Sequence, residues 1–159
     1  MPLCQRYMSN VRLSISVKER LTKLQAAKRQ IQSAIDVYFL RGDLISVMTL
    51  AGAAEEICGN VLARNGKKNI LSIMLGESRR LGLNLTSQDV YNRSSVLRNA
   101  LKHAKDSKED QFQFDEEAAV LMLVRAVINF QLLGEELTIE MEKFITWVKT
   151  HGLLINDQS

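Results

Sequence analysis

Apolar residues recur at the spacing of an α-helix along successive stretches of the chain, and a glycine-centred stop separates many of these stretches. The stops lie at Gly42, Gly66, Gly82 and Gly134. Pro2 is the only proline, and no long stretch alternates apolar and polar residues as a half-buried strand would. The pattern therefore predicts an all-α fold, a single up-and-down bundle of five or six helices without a β-sheet.

Capping residues set the expected bounds of the helices. The first helix is predicted to begin at Ser16, with Glu19 as its capping-box partner, and to end at Gly42 in the left-handed conformation. The second helix is predicted over 44–64. We expect residues 1–15 to form an N-terminal arm, residues 16–150 the bundle, and residues 151–159 a tail. The later helices are predicted to start near four polar residues: Asn69, Ser87, Asp115 and Thr138.

Composition is that of a water-soluble globular domain, with 46% hydrophobic and 25% charged residues. Cys4 and Cys58 have neither the number nor the spacing of a disulfide framework or a metal site, which suggests a reducing compartment. Arg6, Arg12 and Lys18 interrupt any signal-peptide core, and no apolar run is expected to span a bilayer. We therefore expect a cytoplasmic protein that uses no cofactor, metal or membrane.

Charge is unevenly distributed although the net charge is only +3. The stretch from Arg64 to Lys108 is strongly basic, and the stretch from Glu109 to Glu142 is mainly acidic. A basic middle segment suits a polyanionic partner such as RNA, and a solvated charged face is the alternative. Three basic residues of this segment are candidates for substrate binding: Arg93, Lys102 and Lys105.

The basic segment contains the sequence Leu97-Arg98-Asn99-Ala100-Leu101-Lys102-His103 on a predicted helix. Five residues turn a helix by about 500°, so Arg98 and His103 lie within about 140° of each other and can reach one cleft. Arginine carries a planar fork of donors that matches a phosphate, and histidine exchanges a proton near neutral pH. The pair suits metal-independent phosphodiester cleavage, while a solvated Arg and a His at a helix end remain the alternative.

Polar residues at two other helical positions are candidates for supporting roles. Glu55 and Glu56 lie in the middle of the second helix, where both are solvated or one pairs with an arginine near the site. Arg125 and Asn129 interrupt a mostly apolar stripe, and polar groups there require partners. They form either a core salt bridge or a second wall of the cleft.

The sequence from Arg98 to His103 resembles the RxxxxH motif of HEPN-domain proteins, in which a polar residue often follows the arginine. Two long helices precede the motif here, as in those domains, and the resemblance covers roughly residues 16–150. It implies a metal-independent endoribonuclease, often a toxin or host-defence component, that acts as a homodimer with a composite cleft. By this resemblance His103 is the general acid or base, Arg98 holds the phosphate, and Asn99 orients a side chain or the substrate.

A second interpretation remains open, because many HEPN domains have no nuclease activity. The chain would then be a catalytically silent helical interaction module in which Arg98 and His103 make structural contacts. Its partner would be a nucleotidyltransferase-type protein or another protein. If the chain is instead a nuclease, its expected protein partner is an antitoxin.

Overall fold

The structure is a computed structural model, and it describes residues 18–82, 96–101 and 111–151. Within these ranges the regular secondary structure is entirely helical, which confirms the predicted all-α class. A helical segment at 96–100 carries the motif arginine. The longer helices are α1 (Lys23–Phe39), α2 (Leu44–Arg64), α3 (Ile70–Arg80), α4 (Glu116–Leu132) and α5 (Ile139–Thr150).

The start of α1 differs from the prediction. Ser16 lies outside the described residues, residues 18–22 are not helical, and Thr22 is the N-cap. Thr22 Oγ1 accepts from the Gln25 amide at 3.1 Å, while Gln25 Oε1 accepts from the Thr22 amide at 2.8 Å. This reciprocal pair satisfies two donors at the helix end. Glu19 instead pairs with Arg29, whose Nη1 lies 2.8 Å from Glu19 Oε2.

The turn between α1 and α2 also differs in one respect. Arg41, and not Gly42, has the left-handed backbone, with φ of 53°. The Arg41 amide donates to Tyr38 O at 3.1 Å and the Gly42 amide donates to Val37 O at 2.8 Å, which is the bond pattern of a Schellman cap. Gly42 is needed for space, because a Cβ there would lie 2.8 Å from Val37 Cγ1.

Most of the other predicted caps are confirmed. Helix α2 has the predicted bounds, and the Asp43 carboxylate accepts from the Ser46 amide at 3.0 Å. Gly66, Gly82 and Gly134 have positive φ angles and lie two residues after the ends of α2, α3 and α4, respectively. The remaining side-chain caps are Asn69, Asp115 and Thr138.

Helix α2 lies at the centre of the core, where it packs against α1 and α4. Helix α4 also contacts α1 and α3, and α5 packs on α1. One side of α2 faces the core, and Val61 is only half-buried. The buried residues of this helix are Val47, Met48, Ala51, Gly52, Ala54, Glu55, Cys58 and Leu62. The fully buried large side chains come from α1, α2, α4 and α5: Ile31, Ile35, Met48, Leu62, Met122, Leu123, Phe130, Met141 and Phe144.

By length and composition alone, α2 could cross a membrane, although the sequence was predicted to contain no such stretch. Its most apolar window has a mean hydropathy of 1.2. In the structure the apolar side of this helix is covered by α1 and α4, and the carboxylate of Glu55 is buried on the same side. These contacts make α2 the central helix of the bundle.

Candidate functional site

Arg98 is held in place by the packing of its neighbour Leu97. Leu97 is 9% exposed and belongs to the hydrophobic core, which fixes the helical segment 96–100 against the bundle. The Arg98 side chain keeps 13% of its surface exposed. Val96 and Asn99 are exposed, so Arg98 enters the protein while both of these neighbours contact solvent.

Glu55 links Arg98 to a second arginine. Its Oε2 accepts from Arg98 Nη1 at 3.1 Å, and its Oε1 accepts from Arg125 Nη2 at 2.7 Å. The three side chains are 7%, 13% and 8% exposed, respectively. Of the two alternatives that the sequence left open for Glu55 and Glu56, the structure shows that one glutamate pairs with arginine, and Glu55 is that residue. Because a buried carboxylate is costly without partners, two charge-assisted bonds account for its position in the core.

A cleft of about 350 Å³ opens beside this cluster. Helix α2 forms one wall, the start of α3 forms another, and the two arginines contribute from the remaining sides. The charged residues of the lining balance, since Glu55 and Glu56 face Arg98 and Arg125. The residues that line the cleft are Glu55, Glu56, Gly59, Asn60, Ala63, Asn69, Leu71, Arg98 and Arg125.

Two asparagines meet near Gly59 in the wall of this cleft. Asn129 is fully buried, and its Oδ1 accepts from the Ile70 amide at 2.8 Å, which fixes the start of α3 against α4. An added Cβ at Gly59 would lie 4.0 Å from Asn129 Nδ2 and 3.9 Å from Asn69 Nδ2. Asn129 Nδ2 and Arg98 Nε are buried and have no hydrogen-bond partner among the described residues. Buried donors without a partner are rare in proteins, and each requires an explanation such as a bound water, an ion or a functional role.

The structure brings together some of the predicted site residues. Arg98, Arg125, Glu55 and Glu56 line one cleft, and Asn129 lies directly behind its wall. Asn99 is exposed and is not among the lining residues. Four of the predicted residues lie outside the described ranges: Arg93, Lys102, His103 and Lys105.

Cys58 lies one helical turn from Glu55 on α2 and does not supply a nucleophile to the cleft. Its side chain is fully buried. Burial, followed by the negative charges of Glu55 and Glu135, raises the pKa of the thiol to about 12. Because the thiolate is the reactive form, this cysteine is an inert core residue at neutral pH.

A larger cleft, of about 630 Å³, lies at the C-terminal end of α1 and contains none of the predicted site residues. Three of its seven lining residues are aromatic: Tyr38, Phe39 and Trp147. The smaller cleft is the better candidate for phosphodiester chemistry because the guanidinium groups of Arg98 and Arg125 both line it.

Sequence reasoning did not choose between Glu55 and Glu56, and it did not include Asn69. Helical spacing distinguishes the two glutamates. Glu55 follows Ala51 by four residues and precedes Cys58 by three, so it lies on the same side of α2 as these apolar residues. Asn69 was recognised only as the start of a helix. Its presence in the cleft depends on how α3 packs against α4, which local sequence does not determine.

The described residues contain no cluster of three or more His, Cys, Asp or Glu side chains that could hold a metal ion. Comparisons of the chain with protein-family models, with curated protein sequences and with solved structures find no match.

Proposed function

We propose that this protein is a metal-independent endoribonuclease that cleaves RNA at the cleft of Arg98. The observation that supports the proposal best is the burial of Arg98 beside Arg125 in one cleft, with both guanidinium groups oriented by Glu55. A phosphate-binding arginine must be held in one orientation, and a fixed carboxylate provides that orientation. The resemblance of the sequence 98–103 to the RxxxxH motif supports the same chemistry.

In the proposed reaction the RNA 2′-hydroxyl attacks the adjacent phosphorus. His103 removes the hydroxyl proton as general base or protonates the departing 5′-oxygen as general acid. The new P–O bond replaces the bond to the 5′-oxygen, so the products are a 2′,3′-cyclic phosphate and a 5′-hydroxyl. Arg98 binds the phosphate and stabilises the charge that develops on its oxygens.

Glu55 and Arg125 support Arg98 in this proposal. Glu55 accepts from Arg98 Nη1, one of the five N–H groups of the guanidinium, and in this proposal other N–H groups of Arg98 bind the phosphate. Since the charges of the described lining balance, attraction of RNA depends on the wider basic segment. Arg93, Lys102 and Lys105 are the proposed contacts to the RNA backbone, and Asn99 is proposed to orient the substrate from the exposed side.

We further propose that the active form is a homodimer, in which the exposed face around Val96 brings the Arg98 clefts of two subunits together. In this proposal the protein is cytoplasmic and is regulated by an antitoxin or a nucleotidyltransferase partner.

The proposal is tested by incubating purified protein with a mixed-sequence RNA. Wild-type protein should cleave the RNA, and His103→Ala should lower the rate by about 10² to 10⁴. Gly76→Ala is the matched control, because a Cβ at this position has no atom within 4 Å. Equal cleavage by wild type and His103→Ala would contradict the assigned role.

A silent interaction module is the second candidate function. It is favoured by the pairing of Arg98 with Glu55 within one chain, because a paired and mostly buried arginine also has a structural explanation. The absence of cleavage of any RNA by wild-type protein, with the dimer or a partner complex intact, would favour this candidate.

A further inference from the structure

Gly52 lies in the middle of α2, one helical turn before Glu55, and it faces the Arg98 side chain. A Cβ added at Gly52 would lie 2.9 Å from both Cγ and Cδ of Arg98 and 3.8 Å from its Cβ. Real Cβ atoms are almost never within 3.0 Å of another heavy atom. The aliphatic stem of Arg98 therefore occupies the space that any other residue at position 52 would need.

A glycine in the interior of a helix is unfavourable relative to alanine, because it has more backbone freedom to lose on folding. The residues at 51–54 are Ala-Gly-Ala-Ala, and such small side chains allow another part of the chain to approach α2 closely. In the structure the group that approaches Gly52 is a side chain, and its guanidinium continues to Glu55. The atoms in contact are the middle of a buried stem and not its flexible end, so the stem cannot yield without moving the guanidinium.

We propose that Gly52 is the positioning residue for Arg98, because it lets the arginine stem cross α2 and place the guanidinium against Glu55. The catalytic part of this inference rests on the proposed ribonuclease function. The structural part does not, since it concerns only where Arg98 lies.

The structural part is tested by thermal unfolding of Gly52→Ala in three backgrounds. With wild-type Arg98 the clash outweighs the gain in helix propensity, so the melting temperature should fall. In Arg98→Lys it should also fall, because lysine keeps Cγ and Cδ. In Arg98→Ala these atoms are gone and the nearest contact is an ordinary 3.8 Å, so Gly52→Ala should raise the melting temperature, by roughly 2–4 °C.

Gly76→Ala is the matched control in each background, since it adds a Cβ to a helix in open space and should raise the melting temperature in all three. The same loss of stability from Gly52→Ala with and without the Arg98 stem would overturn the proposal. A gain from Gly52→Ala with wild-type Arg98 would overturn it as well.

The catalytic part is tested by RNA cleavage. Gly52→Ala should lower kcat by about 10²-fold with little change in KM, because a misplaced guanidinium stabilises the transition state less while the basic segment still binds RNA. Unchanged kcat in a wild type that cleaves RNA would overturn this part. A further outcome is that wild type does not cleave RNA while Gly52→Ala lowers the melting temperature with wild-type Arg98 and raises it in Arg98→Ala. In that case the ribonuclease proposal fails and the role of Gly52 in placing Arg98 stands.

Discussion

Glu55 Oε1 accepts a hydrogen bond from Arg125 Nη2 at 2.7 Å, although the two residues are 70 positions apart in the chain. The bond joins the two helices at the centre of the core. Arg98 binds the other oxygen of the same carboxylate. Fold stability and the orientation of the proposed catalytic arginine therefore depend on one side chain.

We expect Glu55→Gln to destabilise the protein strongly. The amide removes the negative charge between two buried guanidinium groups, and breaking a buried ion pair in this way typically costs about 3–5 kcal/mol. Urea unfolding should show the loss. Glu56→Gln is the matched control, because Glu56 is the next residue and is exposed. Equal unfolding midpoints for the two variants would show that Glu55 does not hold the cluster together.

We expect stability to fall between about pH 9 and pH 12. Burial, followed by the hydrogen bond from Tyr38 to Glu116, raises the pKa of Tyr38 to about 12, and burial raises that of Cys58 to the same value. The unfolded chain then loses these protons at a lower pH than the folded chain, so rising pH favours unfolding. Tyr38→Phe should make the unfolding midpoint depend less on pH. Cys58→Ala should have the same effect, and its effect should begin at a lower pH than that of Tyr38→Phe. Unchanged slopes in both variants would contradict these assignments.

We expect a homodimer in which Val96 lies in the interface. Val96 is 54% exposed and lies two residues before Arg98, whereas Leu97 is buried in the core and is not available for pairing. Light scattering at micromolar concentration should give twice the monomer mass for wild type and a monomer for Val96→Asp. Ile139→Asp is the control, because Ile139 is 65% exposed on α5. A monomeric wild type would exclude the dimer and the composite site.

Local sequence was sufficient for most helix ends. Asp115 and Thr138 cap as predicted because each side chain accepts from the amide three residues ahead, a contact that needs no tertiary structure. The start of α1 was misplaced because Ser16 and Thr22 have similar capping signals. The choice of Thr22 depends on the reciprocal contact with Gln25.

The candidate site was predictable only in part. Arg125 and Asn129 were identified because polar residues in an apolar stripe require partners, and the structure provides Glu55 and the Ile70 amide. The contact between Gly52 and Arg98 joins residues 46 positions apart in the sequence. It depends on the packing of segment 96–100 against α2, and no local pattern contains that information.

The most direct measurement of the central claim is the identity of the RNA ends produced in EDTA from a substrate of defined sequence. We expect a 2′,3′-cyclic phosphate and a 5′-hydroxyl, no cleavage when the attacking 2′-hydroxyl is replaced by hydrogen, and loss of both products in Arg98→Ala. Cleavage that requires Mg²⁺ and leaves a 5′-phosphate, or equal cleavage of DNA, would contradict the account.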